Sequence, residues 1–516
     1  MKRIIFYLLS IFLTLIPIFL FINFRLVKEI PQPNILLAIS DDQSFPHASA
    51  YGYSAISTPG FDRIASEGIL FNNAFSSAPG CSPSRASLLT GKYIWELEDA
   101  GSHASKFPSK FVTYTELLAT AGYHVGYTGK GWGPGKWDIS GRDINPAGKN
   151  YSAIKLREVP DFINQTDYAA NFELFLKDKR KNQPFCFWFG ATEPHRRYQK
   201  GIGIENGISI DKIDVPPFLP DVEEVKADMA DYLYEIQHFD QHLVRMIKIL
   251  EDRGELDNTV VIVSSDNGMP FPRAKANMYE YGFHMPMAIR WGNTINPGRV
   301  VDDLISFADI APTILEITGV DHPAVPESGL TMTGKSFLKI LLSDKDGLLE
   351  PERKYIYGAR ERHSCSRWNN LSYPIRALRS QQYLYIKNFK PERWPAGAPV
   401  KYDENDKFVE GYHDIDDFPE NYIFTHRNDS LIKIYFDLAV AKRPMEELYD
   451  ITRDPGCLNN LADLSDYQEI LIELRNHLHN HLVITRDPRV IGFGDIWDSY
   501  ERYNVMRRFP EPDWKK

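Results

Sequence analysis

The stretch SSAPGCSPSRASLLTG, residues 76–91, places one cysteine, Cys81, in a loop of serine, proline and glycine. From these residues alone, Cys81 is half of a disulfide, a thiol nucleophile or an inert core thiol. The segment SRASLLTG has the pattern of the first turns of a helix that ends at Gly91. Because the free amides and the dipole at the start of a helix favour an anion, the loop favours a functional role for Cys81.

Apolar runs around this loop predict buried strands, and amphipathic segments between them predict helices. The predicted strands are PNILLAIS (33–40), GILFNNAFSS (68–77), YHVGYTG (123–129), QPFCFWFGA (183–191) and NTVVIVSSDNG (258–268). The predicted helices are TPGFDRIASEG (58–68), SRASLLTG (84–91), TYTELLATAG (113–122) and residues 222–252. Strands that alternate with helices indicate an α/β fold with a large, mostly parallel central sheet flanked by helices.

The pattern changes near residue 351. The segments KYIYGAR, YPIRALRS, QYLYIKNF and EELYDITRDP predict a smaller antiparallel sheet, followed by a helix near residues 464–483. We therefore predict a catalytic domain over residues 31–350 and a C-terminal subdomain over residues 351–516 that contributes to substrate recognition. The polar insert at residues 390–425 is predicted to be a surface excursion.

The composition is that of an ordinary globular protein. The chain has 516 residues, of which 43% are hydrophobic and 25% charged, and it is long enough for one large core and a smaller second domain. The net charge of −10 argues against a general surface for nucleic acid. This net charge is still compatible with a small cationic pocket, because the binding of one anionic group needs only a few hydrogen-bond donors.

The N-terminal residues have the pattern of an export signal. Lys2 and Arg3 precede an almost unbroken apolar run from Ile4 to Phe24. This run is long for a signal peptide and about the length of a membrane helix, roughly 20 residues. Residues 1–30 are therefore a cleaved signal peptide or a retained membrane anchor, and the protein is expected to be periplasmic, secreted or anchored to the membrane.

The remaining cysteines are Cys186, Cys365 and Cys457, which are far apart and show no metal-type spacing. Four cysteines allow three disulfide connectivities, and the sequence does not choose among them. Cys186 lies in an apolar run and is predicted to be a core residue.

Polar clusters recur where the predicted strands end. Asp41 and Asp42 follow the first strand, and Asp266 and Asn267 follow the last one. In open α/β sheets, the carboxyl edge of the strands is where sites are built. The four side chains offer only oxygen ligands, which suit Ca²⁺ or Mg²⁺ better than zinc.

Cationic donors are expected at the same edge. They are Arg85, Lys130, His195 and Lys275, with Arg273 close to the last. Beside a metal ion they would suit an anionic group, because the ion and the donors share the charge that moves in a transition state. Phosphate and sulfate esters are therefore the candidate substrates.

The segment CSPSRASLLTG resembles the signature of the type I sulfatases, whose core is Cys-x-Pro-x-Arg. The resemblance continues through NILLAISDD, TPGFDRIASEGILFNNAFS, GYTGK, EPH, SDNG and ELYDITRDP. Within the family, SDNGMPFP, SYPIR and LYDITRDP are most similar to the heparan N-sulfatases. The resemblance implies the sulfatase fold, which is alkaline-phosphatase-like.

In that family the cysteine is oxidised to formylglycine (3-oxoalanine) by a formylglycine-generating enzyme, and its hydrated aldehyde is the nucleophile. The resemblance implies this modification at Cys81, with Arg85 holding the modified side chain. It also implies one Ca²⁺, with Mg²⁺ as the alternative, held by Asp41, Asp42, Asp266, Asn267 and the modified Cys81. Lys130, His195 and Lys275 would bind the sulfate, and the last two would protonate the leaving atom.

One position departs from the family. Sulfatases usually have a histidine two residues after the lysine that corresponds to Lys130, where it assists breakdown of the sulfated intermediate. This sequence has Trp132 there. Another group, such as His103 or a water molecule, is expected to take over the role of base, or turnover uses a different arrangement.

The segment GARERHSCSRWNNLSYPIR (358–376) is similar to the part of the heparan N-sulfatases that contacts substrate. We predict that Arg362, His363 and Arg367 grip a sugar carboxylate or a second sulfate. The expected substrate is a sulfated polysaccharide, such as algal ulvan or carrageenan, or its oligosaccharides.

Three alternatives stay open. The enzyme is an N-sulfoglucosamine sulfohydrolase that acts on heparan-type glycans, or a phosphate or phosphonate monoester hydrolase of the same superfamily. The third reading is a non-catalytic glycan-binding relative, which predicts an unmodified Cys81.

Overall fold

The structure is a computed structural model that describes residues 32–322, 331–417 and 420–515. Residues Pro33–Lys516 form one compact unit. The signal peptide or membrane anchor predicted at residues 1–30 lies outside the described residues. Within the described part of the chain, no helix is both long enough and apolar enough to cross a membrane.

The strands and helices follow the predicted alternation. The strands are β1 Asn34–Ser40, β2 Ile69–Phe75, β3 His124–Gly129, β4 Lys149–Asn150, β5 Phe185–Gly190, β6 Thr259–Ser265, β7 His284–Trp291, β8 Arg299–Val301, β9 Ile305–Ser306, β10 Ile356–Arg360, β11 Ile375–Arg379, β12 Tyr383–Asn388, β13 Val400–Tyr402, β14 Phe408–Glu410 and β15 Glu446–Asp450. The α-helices are α1 Pro59–Ser66, α2 Cys81–Thr90, α3 Tyr114–Thr120, α4 Tyr168–Asp178, α5 Ile202–Glu205, α6 Glu223–Asp252, α7 Glu280–Phe283, α8 Ile310–Thr318, α9 Leu338–Leu342, α10 Tyr422–Thr425, α11 Lys433–Val440, α12 Gln468–Ile484 and α13 Ile496–Ser499.

The large sheet has the strand order β4-β3-β5-β1-β6-β7-β2-β8, and β9 also pairs with β2. Strand β7 runs antiparallel to β6 and β2. The other neighbouring strands of this sheet are parallel. The prediction of an α/β fold with a mostly parallel central sheet is confirmed.

Strand β1 shows why its apolar run is continuous. Ile35, Leu37 and Ile39 belong to a hydrophobic cluster that includes residues of α8. Leu36 and Ala38 belong to a second cluster that includes residues of α6. Successive side chains of a strand point to opposite faces, so helices cover this sheet on both sides and every position of β1 is buried.

The C-terminal sheet has the order β10-β11-β12-β15 and is antiparallel, as predicted. Arg379 of β11 donates a 2.7 Å hydrogen bond to Glu280 of α7, and both side chains are buried. The Ala359 amide of β10 donates to the Ser77 carbonyl at 3.0 Å. Strand β10 therefore runs beside the loop that leads to Cys81. Both sheets belong to one compact unit, and the predicted division at residue 350 stays a prediction.

The insert at residues 390–425 has two parts. Strand β14 of the β13–β14 hairpin is exposed, as expected of a surface excursion. Beyond the hairpin the chain turns back, and Asp414 is buried. The prediction of a surface excursion is wrong for Asp414. This carboxylate is enclosed by Arg360 of β10 and by Arg367 of the loop that follows β10.

Candidate active site

The acidic residues predicted as metal ligands meet at the carboxyl ends of β1 and β6. Ser40 and Ser265 end these strands and are neighbours in register, so the residues after them lie side by side. The Asp42 amide donates to Asp266 Oδ1 at 3.1 Å. Asn267 Nδ2 donates to Asp42 Oδ1 at 2.6 Å. The sheet thus brings together two clusters that are more than two hundred residues apart in sequence, and all four ligand side chains are buried.

The oxygens of this cluster fit a divalent cation. Ligand atoms of Asp41, Cys81 and Asp266 lie within 4.8 Å of one another. In the described residues, Asp41 Oδ1 and Asn267 Oδ1 are buried without a hydrogen-bond partner, which is costly unless another group binds them. Burial raises the pKa of Asp266 to about 7, with Arg85 opposing this and Asp41 adding to it. A cation would bind the two orphaned oxygens and offset the repulsion between the carboxylates.

Cys81 is the first residue of α2, and its side chain is buried next to these carboxylates. Burial raises the pKa of its thiol, so the unmodified thiol is protonated and a weak nucleophile. All four cysteines lie in the described part of the chain, and each is buried and unpaired. The structure therefore contains no disulfide among them, and Cys81 is not half of one.

Arg85 joins α2 to the strand ends and is fully buried. Its Nε donates to Asp266 Oδ2 at 2.7 Å, and its Nη1 donates to the Lys130 carbonyl at 2.5 Å. Its Nη2 lies 3.8 Å from Asp41 Oδ1. The guanidinium is one turn beyond Cys81 on the same helix, the place predicted for the group that holds the modified side chain.

The three predicted sulfate ligands lie around the same carboxylates. Lys130 Nζ forms an ion pair with Asp41. Lys275 Nζ donates to Asp42 Oδ2 at 2.6 Å. His195 Nδ1 lies 2.7 Å from the Arg196 carbonyl, which can only accept. The Nδ1 proton therefore points to that carbonyl, and Nε2, 3.9 Å from Asp42 Oδ2, faces the site.

Lys275, and not Arg273, reaches the site. Arg273 is buried, and its Nη2 donates to the Cys457 carbonyl. Its guanidinium lies over the Tyr279 ring at 4.1 Å. This arginine is therefore engaged with the C-terminal part of the chain, whereas Lys275 contacts Asp42, and the sulfate-binding role predicted for Lys275 stays a prediction.

Sequence reasoning missed Asp416, which comes from the insert at residues 390–425. Its carboxylate accepts a 2.8 Å hydrogen bond from Lys275 Nζ. Ligand atoms of Asp42, His195 and Asp416 lie within 4.8 Å of one another. The Lys275 ammonium binds both carboxylates of this second cluster, so it offsets part of their negative charge. The acidic run DIDD was the only signal, and it is typical of solvated loops.

A family model described as Sulfatase matches residues 33–320. The chain belongs to the sulfatase family. A second model, described as N-sulphoglucosamine sulphohydrolase, C-terminal, matches residues 273–394 of the sulfatase. The protein is thus a sulfuric ester hydrolase, as predicted. Sulfatases bind a divalent metal, and the acidic cluster around Asp41 and Asp266 supplies suitable donors.

Two relatives align along most of the sulfatase. An ulvan-active sulfatase of Formosa agariphila is 29% identical over 446 residues, which are 85% of this chain and 78% of the relative. The human N-sulphoglucosamine sulphohydrolase is 29% identical in an alignment of 501 positions, which covers 89% of this chain and 91% of the relative.

A solved structure of a protein in complex with its substrate, D-glucosamine-2-N,6-O-disulfate, superposes with a TM-score of 0.62. The superposition covers 88% of this chain and 98% of that chain, at 21% sequence identity. This likeness shows the fold, and together with the family match it confirms the predicted sulfatase fold.

Trp132 of the sulfatase is part of the loop that follows Lys130. Its ring packs edge-on against Phe107, with centroids 5.1 Å apart. Its Nε1 donates to the Gly135 carbonyl at 2.8 Å. Indole has a donor and no proton acceptor. Trp132 therefore stabilises the loop and does not replace a histidine base.

Two of the predicted substrate residues are bound within the sulfatase itself. Arg362 is buried, and its guanidinium donates to the carbonyls of Tyr500 and Glu501 at 2.6 and 3.0 Å. Arg367 is buried as well and donates to Asp414 Oδ2 at 2.6 Å. Their geometry supports a role in shaping the loop that carries His363, and the substrate contacts predicted for them stay a prediction.

Proposed function

We propose that the sulfatase removes sulfate groups from a sulfated polysaccharide or its oligosaccharides, with a formylglycine at position 81 as nucleophile. One observation carries this proposal. Cys81, at the start of α2, lies against a buried set of oxygen ligands that is itself surrounded by Lys130, His195 and Lys275. Such a site suits a nucleophile that attacks an anionic ester while metal and cations share its charge.

We propose Ca²⁺ as the cation. The residues that would hold it are Asp41, Asp42, Asp266 and Asn267, with an oxygen of the modified residue 81. All of these ligands are oxygens, and Mg²⁺ prefers to keep several waters, which four buried protein groups leave little room for. When bound, the ion would supply positive charge beside the sulfate oxygens.

The remaining roles in the proposed reaction belong to cationic and imidazole side chains of the site. Arg85 fixes the side chain of residue 81, because its own position is set by Asp266 and the Lys130 carbonyl. The Lys130 and Lys275 ammonium groups bind sulfate oxygens. His195 Nε2, which faces the site, delivers a proton to the leaving oxygen or nitrogen of the sugar.

Two observations support a glycan as substrate. The relatives include an ulvan-active sulfatase and a sulphohydrolase of N-sulphoglucosamine. A cavity of about 740 Å³ is lined in part by Arg196 and Asp417, which follow His195 and Asp416 in the chain. This volume is in the range of sites for sugar-sized ligands. The charged lining suits the hydroxyl groups of a sugar chain.

A second candidate is N-sulfoglucosamine sulfohydrolase activity on heparan-type glycans. It is favoured by the match of residues 273–394 to the C-terminal model of that enzyme. This range contains Lys275, which lies at the carboxylates of the site, and the predicted substrate residues Arg362, His363 and Arg367.

We further propose that the protein is exported and matured by a formylglycine-generating enzyme. The basic residues Lys2 and Arg3 and the apolar run Ile4 to Phe24 support export. The motif Cys81-x-Pro83-x-Arg85 supports recognition by the maturing enzyme. These proposals place the protein in the periplasm, outside the cell or at the membrane through its N-terminus.

Sulfate release from a panel of substrates tests the proposed function. The panel contains ulvan and carrageenan oligosaccharides, an N-sulfated heparan disaccharide, an aryl sulfate and an aryl phosphate. We expect release from at least one sulfated glycan, with the aryl phosphate slower than the aryl sulfate by about 100-fold or more. The Cys81→Ala variant, purified in parallel, controls for contaminating sulfatases. A preference for the phosphate would contradict the proposal, and release from the N-sulfated disaccharide alone would establish the second candidate.

A further inference from the structure

The His363 side chain lies over the start of α2. A methyl group placed on Gly80 would be 3.3 Å from His363 Cδ2 and 4.0 Å from its Nε2. Gly80 directly precedes Cys81. The side chain of His363 is 11% exposed, so it is largely enclosed by the protein. The imidazole therefore packs against Gly80, the residue that immediately precedes the one proposed to react.

The other ring nitrogen of His363 faces a fixed carboxylate. Nδ1 lies 3.5 Å from Asp414 Oδ1, which is within ion-pair distance, although the two atoms form no hydrogen bond in this geometry. Asp414 Oδ2 accepts from Arg360 and Arg367 at 2.7 and 2.6 Å, and Oδ1 accepts from the Ser364 hydroxyl at 2.7 Å. Although burial acts in the opposite direction, Arg367 and Arg360 hold the pKa of Asp414 well below its ordinary value. The carboxylate is therefore ionised.

This arrangement gives His363 the properties of a general base. An ionised carboxylate beside Nδ1 favours the tautomer that has its proton there, which leaves the lone pair on Nε2, at the edge of the ring that approaches Gly80. The same carboxylate stabilises the imidazolium that forms when Nε2 takes a proton. Histidine with an orienting carboxylate is a recurrent arrangement for proton transfer.

Neighbouring groups are less suited to accept a proton. The His103 ring lies 5.5 Å from the His363 ring. Burial lowers the pKa of His103 well below its ordinary value, and nearby cations such as Arg502 act in the same direction. Lys275 is a cation whose pKa is raised by Asp416 and Asp42 despite burial. His363 thus combines a partly exposed ring with a carboxylate that lies 3.5 Å from Nδ1.

We propose that His363, oriented by Asp414, is the general base that releases sulfate from residue 81. The inference rests on the proposed formylglycine mechanism. After the first half-reaction, the side-chain carbon of residue 81 carries one hydroxyl and one sulfate. His363 Nε2 takes the hydroxyl proton, and the electron pair of that O–H bond forms the C=O bond of the aldehyde. The C–O bond to sulfate breaks, and sulfate leaves with that bonding pair. Water then hydrates the aldehyde, and the proton on His363 passes to solvent.

The test is rapid-quench kinetics of His363→Gln with an aryl sulfate, with His103→Gln as the matched control. We expect His363→Gln to keep a burst of one aryl alcohol per active site and then to turn over about 10²- to 10⁴-fold more slowly than wild type. The burst itself shows that the variant is folded and completes the first half-reaction. Mass analysis of quenched His363→Gln should find a sulfo group on the peptide that contains residue 81, and His103→Gln should not accumulate it.

Three results would overturn the inference: unchanged turnover in His363→Gln, slow turnover without sulfated peptide, or accumulation in His103→Gln instead. A wild-type protein without an aldehyde at residue 81 would refute the proposed function as well. If the wild-type protein contains the aldehyde but His363→Gln accumulates no sulfated peptide, only the role of His363 is refuted.

Discussion

Replacing Cys81 with alanine is expected to lower kcat/KM for sulfate ester hydrolysis on the order of 10⁶-fold, as removal of a nucleophile does in other covalent enzymes. The variant keeps the oxygen ligands and the cations, which bind and polarise the ester but cannot form the covalent intermediate. The measurement is initial-rate kinetics on the substrate found in the panel. Full activity of Cys81→Ala would show that residue 81 is not the nucleophile.

The matched control for this variant is Cys186→Ala. Cys186 is a buried thiol like Cys81, and it lies near the amino end of β5 in the hydrophobic core, away from the carboxyl ends of the strands. We expect its kcat/KM to stay within about twofold of wild type, with a loss of about 1 kcal/mol of stability from the small cavity. The contrast separates the chemistry of residue 81 from the general effect of removing a buried sulfur.

Removal of the divalent cation is expected to have the second largest effect. The carboxylates of Asp41, Asp42 and Asp266 are buried together, and the ion would offset their repulsion. A chelator should therefore lower kcat/KM by about 10³-fold, the order of loss seen when one main stabiliser of transition-state charge is removed. Added Ca²⁺ should restore the rate.

The melting temperature gives an independent readout of the same cation. Ca²⁺ at about 100 times its Kd should stabilise the fold by about 2.7 kcal/mol. Asn267→Leu removes one oxygen ligand without changing the charge, and it should reduce this stabilisation. Asp178→Asn is the control, because Asp178 is at the surface and pairs with Lys149. If Mg²⁺ stabilises and reactivates the protein and Ca²⁺ does not, the assignment of the ion is wrong. If neither does so, the cluster is not a metal centre.

The sequence predicts this site because its residues directly follow strands that have a clear apolar pattern. The runs that form β1 and β6 are buried at every position, and each ends abruptly in acidic residues. In a parallel sheet, the carboxyl ends of the strands lie at one edge. The sequence alone therefore predicts that Asp41 and Asp266 lie close together. The antiparallel direction of β7 could not be predicted, because a buried apolar strand has the same pattern in either direction.

The positions of Asp414 and Asp416 depend on long-range contacts, which leave no local pattern in the sequence. Asp414 and Asp416 lie in a polar insert whose composition is typical of a solvated loop, and only the return of the chain brings them to His363 and Lys275. The burial of Arg367 could not be predicted from the sequence for the same reason. An arginine-rich segment predicts exposed donors, and the structure instead buries this guanidinium against Asp414, a partner 47 residues away.

The mass of the tryptic peptide that spans residues 64–85 tests the central claim most directly. The protein should be produced in a host that contains a formylglycine-generating enzyme, with a second sulfatase of known modification as the positive control. We expect the mass of the peptide with an aldehyde at residue 81, in its free or hydrated form, in place of the thiol. An intact Cys81 thiol, while the control sulfatase is converted in the same cells, would contradict the account.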